Sequence, residues 1–300
     1  MNLGPGFRRE DGSVEMLLRA FAAAALLLLP TFAHAQEPLF KVPKIVLVGD
    51  STTAVNSGWG GAFCARHVSS NVACVNLGRG GRSSRTYREE GSWALALKEM
   101  GSGGFAKTWV LIQLGHNDQP GRPERSTDLV TEFPANIRRF VDEARAAGAT
   151  PVLVTPLIRR QFKDGQVHDD LAPWADAIRK VAAETGTPLV DLHALSKAAV
   201  QALGPVEAMK FGEMPPPPEV AAAARSGTTT GAMFYEPAIP GAVVPPRPPA
   251  APPSPPGPMG EFKPVFDYTH IGPEGADYFS AMVAKALAQA VPELGRNLLP

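Results

Sequence analysis

Cysteine is scarce in this chain. Only Cys64 and Cys74 occur among 300 residues, which excludes a scaffold built on disulfides. Their spacing, with no companion ligands nearby, argues against a zinc site. A single bridge between them stays open, with two buried free thiols as the plainer reading. Net charge is missing as well. Lys plus Arg number 29 and Asp plus Glu number 29, so no general excess of positive charge points to nucleic acid or an anionic membrane surface. That balance fits a neutral or mildly polar substrate without demanding one. Histidines number six and show no clustered metal-ligand spacing. No repeat of fixed period is present, and no apolar run is long enough to cross a bilayer.

The longest apolar run, Ala20 to Leu29, has another meaning. It follows Met16-Leu17-Leu18-Arg19 and precedes Pro30 and Ala33-His34-Ala35. That is the order of a secretory signal peptide. Residues 1–35 are therefore expected to be removed and the protein to be secreted or periplasmic. Glu10, Asp11 and Glu15 do not suit a basic leader, so Met16 reads as the natural start. An uncleaved membrane anchor is the alternative.

Beyond this segment, strand and helix patterns alternate. Strands are expected at 44–49, 71–77, 108–114, 151–155 and 188–192. Helices are expected at 58–68, 133–147, 171–185, 194–203 and 273–291. The strands are apolar nearly throughout, which predicts burial on both faces and hence a parallel sheet covered by helices. The expectation is α/β, a three-layer flavodoxin-like fold with a five-stranded parallel sheet. Its ligands would lie beyond the carboxyl ends of the strands. Residues 211–262, rich in Pro, Ala and Gly, break the pattern. They cannot bury enough apolar surface to offset their ordering entropy, so a disordered insertion is expected between folded parts at 38–210 and 263–292.

Four polar clusters sit where such a sheet would gather them. Gly49-Asp50-Ser51-Thr52 follows the first strand, where a turn into helix exposes a hydroxyl beside backbone N–H groups. Gly80-Gly81-Arg82-Ser83 follows the second, its glycines allowing close backbone approach. It nearly matches a dinucleotide fingerprint, but it follows the wrong strand and lacks an apolar helix start. Gly115-His116-Asn117-Asp118 follows the third and offers a side-chain amide. Asp267-Tyr268-Thr269-His270 precedes the last helix and offers an imidazole with a carboxylate to orient it. Each is an ordinary turn by itself. Together they supply every part of an acyl-transfer site.

On these four blocks the chain resembles the SGNH (GDSL-type) hydrolase superfamily, and within it the rhamnogalacturonan acetylesterases. The resemblance covers about residues 43–205 and 263–291. It implies Ser51 as nucleophile, His270 as base and Asp267 as the partner of His270. The oxyanion donors would be the Ser51 and Gly81 backbone N–H groups and the Asn117 side chain, with Gly80 the competing choice to Gly81. No cofactor and no metal are implied. The expected substrate is an acetylated polysaccharide, rhamnogalacturonan first, then xylan or a small short-chain ester. No nucleic-acid partner and no lasting membrane span are expected, and the protein is expected to be a monomer. A metal-dependent phosphoesterase and a non-catalytic carbohydrate-binding protein are the rival classes.

Overall fold

The computed structural model describes residue 1, residues 40–229 and residues 265–299. The proposed signal peptide and residues 230–264 of the insertion lie outside the described residues. Every element below belongs to the unit Phe40–Pro300.

Five strands form one parallel sheet in the order β2-β1-β3-β4-β7. They are β1 (Lys44–Gly49), β2 (Ala73–Asn76), β3 (Thr108–Gln113), β4 (Thr150–Val154) and β7 (Leu189–Val190). β5 (Phe162–Lys163) and β6 (Gln166–Val167) pair as a separate small hairpin. All six residues of β1 and all six of β3 are buried, as expected of strands covered on both sides.

Alternate side chains feed two cores. Ile45, Leu47, Trp109 and Leu111 join one hydrophobic cluster, while Val46, Val48, Val110 and Ile112 join the other. The first is closed by Trp59, by the π-helical turn Phe63–His67 that follows short α1 (Gly60–Ala62), and by α6 (Leu192–Ala208) and α8 (Pro273–Ala290). The second is closed by α3 (Ser92–Met100), α4 (Glu132–Ala146) and α5 (Ala172–Thr185). Short α2 (Thr86–Glu89) adds the fully buried Tyr87. The Leu, Ile, Phe and Trp side chains of these layers contribute about 1.5–3 kcal/mol each on full burial, so helix docking follows directly from the apolar pattern.

Three expectations need correction. The continuous helix expected at 58–68 is instead a short α1 and a π-helical turn, because Gly58 and Gly60 pack against the preceding turn. A Cβ at Gly58 would lie 2.2 Å from the Thr52 carbonyl oxygen, and one at Gly60 would lie 2.1 Å from that of Thr53. Cys64, on that π-helical turn, is bonded to Cys74 on β2, so the reading as two free thiols is overturned. The expected disorder also starts too early at 211. Phe211 is buried, α7 (Pro218–Arg225) follows with Val220 and Ala224 buried, and Thr229 is buried against Phe162.

The sheet order reverses direction between β1 and β3, where loops leave to opposite sides and open a crevice at the carboxyl edge. The loops after β1 and β3 carry Ser51 and Asn117.

Candidate active site

Ser51 sits two residues beyond β1. Its turn is held by a buried polar chain. Trp59 Nε1 donates to Gln113 Oε1 at 2.6 Å, Gln113 Nε2 donates to Thr52 Oγ1 at 2.5 Å, and Thr52 Oγ1 donates to Asp50 Oδ1 at 2.8 Å. Ser57 Oγ also donates to the Ser51 carbonyl at 2.7 Å. Asp50 is fully buried, with His116 Nδ1 at 3.4 Å from Oδ2. Burial opposes its charge, but His116 and the Thr52 hydrogen bonds outweigh burial and hold it below the usual carboxylate range.

The imidazole of His270 meets this serine from the other end of the chain. His270 Nε2 lies 2.8 Å from Ser51 Oγ, and His270 Nδ1 lies 2.5 Å from Asp267 Oδ2. Asp267 Oδ1 accepts the backbone N–H groups of Thr269 at 2.8 Å and His270 at 2.7 Å. The carboxylate thus shapes the tight turn as well as orienting the ring. Burial would raise the Asp267 pKa, but the His270 contact and these N–H groups lower it to about 2. Burial works against the His270 imidazolium, yet Asp267 prevails, with Glu213 and Asp50 adding to it, and the pKa is raised above the ordinary 6.5.

Two supporting residues had no clear sequence signal. Arg160 is fully buried, and its Nη2 donates to the carbonyls of Asp267 at 2.9 Å and His270 at 2.7 Å. Its own N–H donates to the Tyr268 carbonyl at 2.9 Å. A guanidinium with carbonyl acceptors clamps the turn that presents the base. Burial pulls its pKa down to about 10, leaving it charged at neutral pH. Glu213 comes from the segment expected to be disordered. Gly212 bridges Ile271, and Gly272 N–H donates to the Phe211 carbonyl at 2.9 Å. Glu213 Oε1 is buried there without a hydrogen-bond partner among the described residues.

Asn117 lines the same cavity of about 200 Å³ as Ser51, Asp267 and His270. One Nδ2 hydrogen goes to the Arg82 carbonyl at 3.1 Å, leaving the amide's second hydrogen for another acceptor. Gly80 passes against Ser51, where an added Cβ would lie 3.7 Å from the serine Cβ. Gly81 follows with φ +79° and gives its carbonyl to Arg125 Nη1 at 3.1 Å. Gly81 itself is not in the cavity lining. Asp118 ties the two loops together, accepting from Ser84 N–H at 2.9 Å, Ser84 Oγ at 2.6 Å and Thr127 Oγ1 at 2.9 Å. Burial pushes its carboxyl up to about 7. Among the described residues, no three His, Cys, Asp or Glu side chains are grouped to hold a metal ion, and no helix is long and apolar enough to cross a membrane.

A hydroxyl, an imidazole and a carboxylate hydrogen-bonded in a row at the carboxyl edge of a parallel sheet define a serine-hydrolase class of site. Comparison with known proteins agrees. The model of the GDSL-like lipase/acylhydrolase family matches residues 47–209, and the chain belongs to that family of ester hydrolases. It is 34% identical over 175 residues to the rhamnogalacturonan acetylesterase RhgT of Bacillus subtilis, covering 56% of this chain and 72% of that one. Identity to the probable rhamnogalacturonan acetylesterase YesY of the same organism is 33% over 160 residues, covering 51% and 72%. The crystal structure of Bacillus subtilis YxiM shares the fold, with a TM-score of 0.57 at 20% identity over 83% of this chain and 57% of that one.

Proposed function

We propose that the protein is an exported serine acetylesterase that removes acetyl groups from a carbohydrate, with rhamnogalacturonan the first substrate to test. The reading is carried by the 2.8 Å contact between Ser51 Oγ and His270 Nε2, with Asp267 on the far side of the ring. In the first half-reaction Ser51 Oγ attacks the ester carbonyl and its proton passes to His270 Nε2. The oxyanion is held by backbone N–H groups at Ser51 and Gly81 and by the Asn117 amide. His270 returns the proton to the departing sugar hydroxyl as the C–O bond breaks. Water, deprotonated by His270, then releases acetate and regenerates Ser51. The rhamnogalacturonan acetylesterase RhgT and the probable rhamnogalacturonan acetylesterase YesY, similar over more than half of this chain, support a carbohydrate ester.

The test is acetate release from acetylated pectin, acetylated xylan and 4-nitrophenyl acetate, with Ser51→Ala beside the wild type and a chelator in a parallel series. Acetate release that vanishes in the Ser51 variant and survives chelation supports the mechanism. Chelator-sensitive turnover would favour a metal-dependent esterase instead, and binding without turnover would favour a carbohydrate-binding protein. The same panel ranks acetylated xylan and small acetates against pectin.

A further inference from the structure

Asp118 takes no part in the proton transfers described above, yet it is fully buried next to Asn117. Every group that reaches its carboxyl brings a hydrogen. Ser84 N–H donates to Oδ1 at 2.9 Å and to Oδ2 at 3.1 Å. Ser84 Oγ donates to Oδ1 at 2.6 Å and itself accepts from Asn136 Nδ2 at 3.0 Å. Thr127 Oγ1 donates to the same Oδ1 at 2.9 Å. Such a set suits a carboxylate, which only accepts. A protonated Asp118 would put one more hydrogen among these donors. Seating it would turn the hydroxyl hydrogen of Ser84 or Thr127 away, and neither hydroxyl donates anywhere else among the described residues. A buried donor left unpaired works against the whole arrangement.

The residues so joined come from the stretches that build the site. Ser84 lies on the loop after β2, three residues past Gly81. Asn117 and Asp118 lie on the loop after β3. Thr127 lies farther along that connection, and its N–H donates to the Asp118 carbonyl at 2.9 Å. The amide of Asn117 reaches the Arg82 carbonyl, so its place depends on where the loop carrying Ser84 sits. The spacing between Gly81 and Asn117 is therefore fixed at the Asp118 carboxyl as well as at the Arg82 carbonyl. Burial pushes the Asp118 carboxyl up to about 7, the Ser84 and Thr127 hydrogen bonds pull against it, and Asp50 on the β1 loop adds to the rise. Two other charged or titratable side chains stand around it. Arg85, from the loop after β2, is drawn to it and is paired with Glu132 on α4, while His116, on its own loop, is paired with Asp50. The proton on Asp118 is thus exchanged close to neutral pH.

We propose that Asp118 is a positioning residue for hydrolysis at Ser51: as a carboxylate it holds the Gly81 and Asn117 loops at the spacing an oxyanion needs, and as a carboxylic acid it lets them part. This rests on the acetylesterase reading above and on the oxyanion donors named there, and it adds a control by pH. Turnover then needs two groups to have lost a proton. His270 must be free to accept the Ser51 hydrogen, and Asp118 must be ionised to keep the donors in place. Asp118 touches neither the substrate nor the reacting atoms. A proton on it should therefore lower kcat and leave binding of the ester alone.

The experiment has two readouts on wild type, Asp118→Asn and Thr127→Val. One is the pH dependence of kcat and KM on 4-nitrophenyl acetate. The other, in the substrate-free protein, is the pH dependence of the Asn117 side-chain amide resonances by NMR. On the far acid side, wild-type kcat/KM should fall about a hundredfold per pH unit, the mark of two protons, rather than about tenfold. The Asn117 resonances should shift with a midpoint of about 7. Asp118→Asn should lose that step and show a one-proton limb. Its kcat should fall roughly tenfold to a hundredfold with KM little changed. Thr127→Val removes one donor and keeps the side chain's shape. It should move the Asn117 step up by about one pH unit, and it decides the matter if the Asp118 variant does not fold. Asn117 resonances that follow only the titration of the His270 ring would overturn the proposal. So would an Asp118→Asn enzyme whose kcat is intact or whose loss lies in KM alone. A wild type that does not turn over 4-nitrophenyl acetate at all would instead overturn the esterase reading, and the Asn117 step would still report on Asp118.

Discussion

At the scale of single residues, the behaviour of the site turns on the charge around one imidazole. His270 must be neutral to accept the Ser51 proton, and its pKa is held above the ordinary 6.5 by Asp267, with help from Glu213. The acid limb of kcat/KM on 4-nitrophenyl acetate should therefore have its midpoint above about 6.5. Replacing Glu213 by Gln removes one of the negative charges that favour the imidazolium. The midpoint should then move to lower pH, and a pH–rate profile unchanged in that variant would show that Glu213 does not tune the base. Asn117→Ala tests the amide separately. Loss of an oxyanion donor should lower kcat on the order of 10²–10³-fold with little change in KM. A drop confined to KM would mean that the amide binds substrate instead.

Local elements explain what could be read from sequence and what could not. β1 and β3 are legible because both faces are buried, so their apolar runs are unbroken. Ser51, Asn117, Asp267 and His270 are legible because each follows a strand or precedes a helix. Arg160 was not, because nothing near position 160 shows that it will meet carbonyls more than a hundred residues away. Glu213 was hidden by the prolines beside it, whose composition resembles unfolded chain although their neighbours bridge the turn bearing the base. α2 and α3, over 86–100, were also missed, since Gly91 and the polar residues around it blur the periodicity. The disulfide was left undecided, because only the π-helical turn brings Cys64 over β2. Its closed loop spans a sequence separation of 10. By chain entropy, replacing both cysteines with serine should cost about 3 kcal/mol. Urea denaturation measures this, and the turnover of 4-nitrophenyl acetate should be unaffected because neither cysteine reaches the cavity.

On the scale of the whole molecule, the serine and its base belong to two parts of the chain that share one core. α8 buries Phe279, Val283, Ala284 and Leu287 completely within the same cluster as β1, β3 and β4. Ile271 N–H donates to the Ser57 carbonyl at 3.0 Å, and Leu299 N–H to the His67 carbonyl at 2.9 Å. The described contacts that hold residues 265–299 run to residues 40–229, and the apolar ones alone involve several side chains worth about 1.5–3 kcal/mol each.

Continuity of the polypeptide is therefore not what keeps the imidazole beside the hydroxyl. A protease site engineered between residues 230 and 264 and then cut should yield two peptides that stay together through gel filtration and still turn over 4-nitrophenyl acetate. Separation of the peptides, or an inactive pair, would show that the severed link itself holds the machinery in register. If the halves persist as one enzyme, new chain ends can be opened there, giving a split esterase whose activity reports on whatever brings its two fragments together.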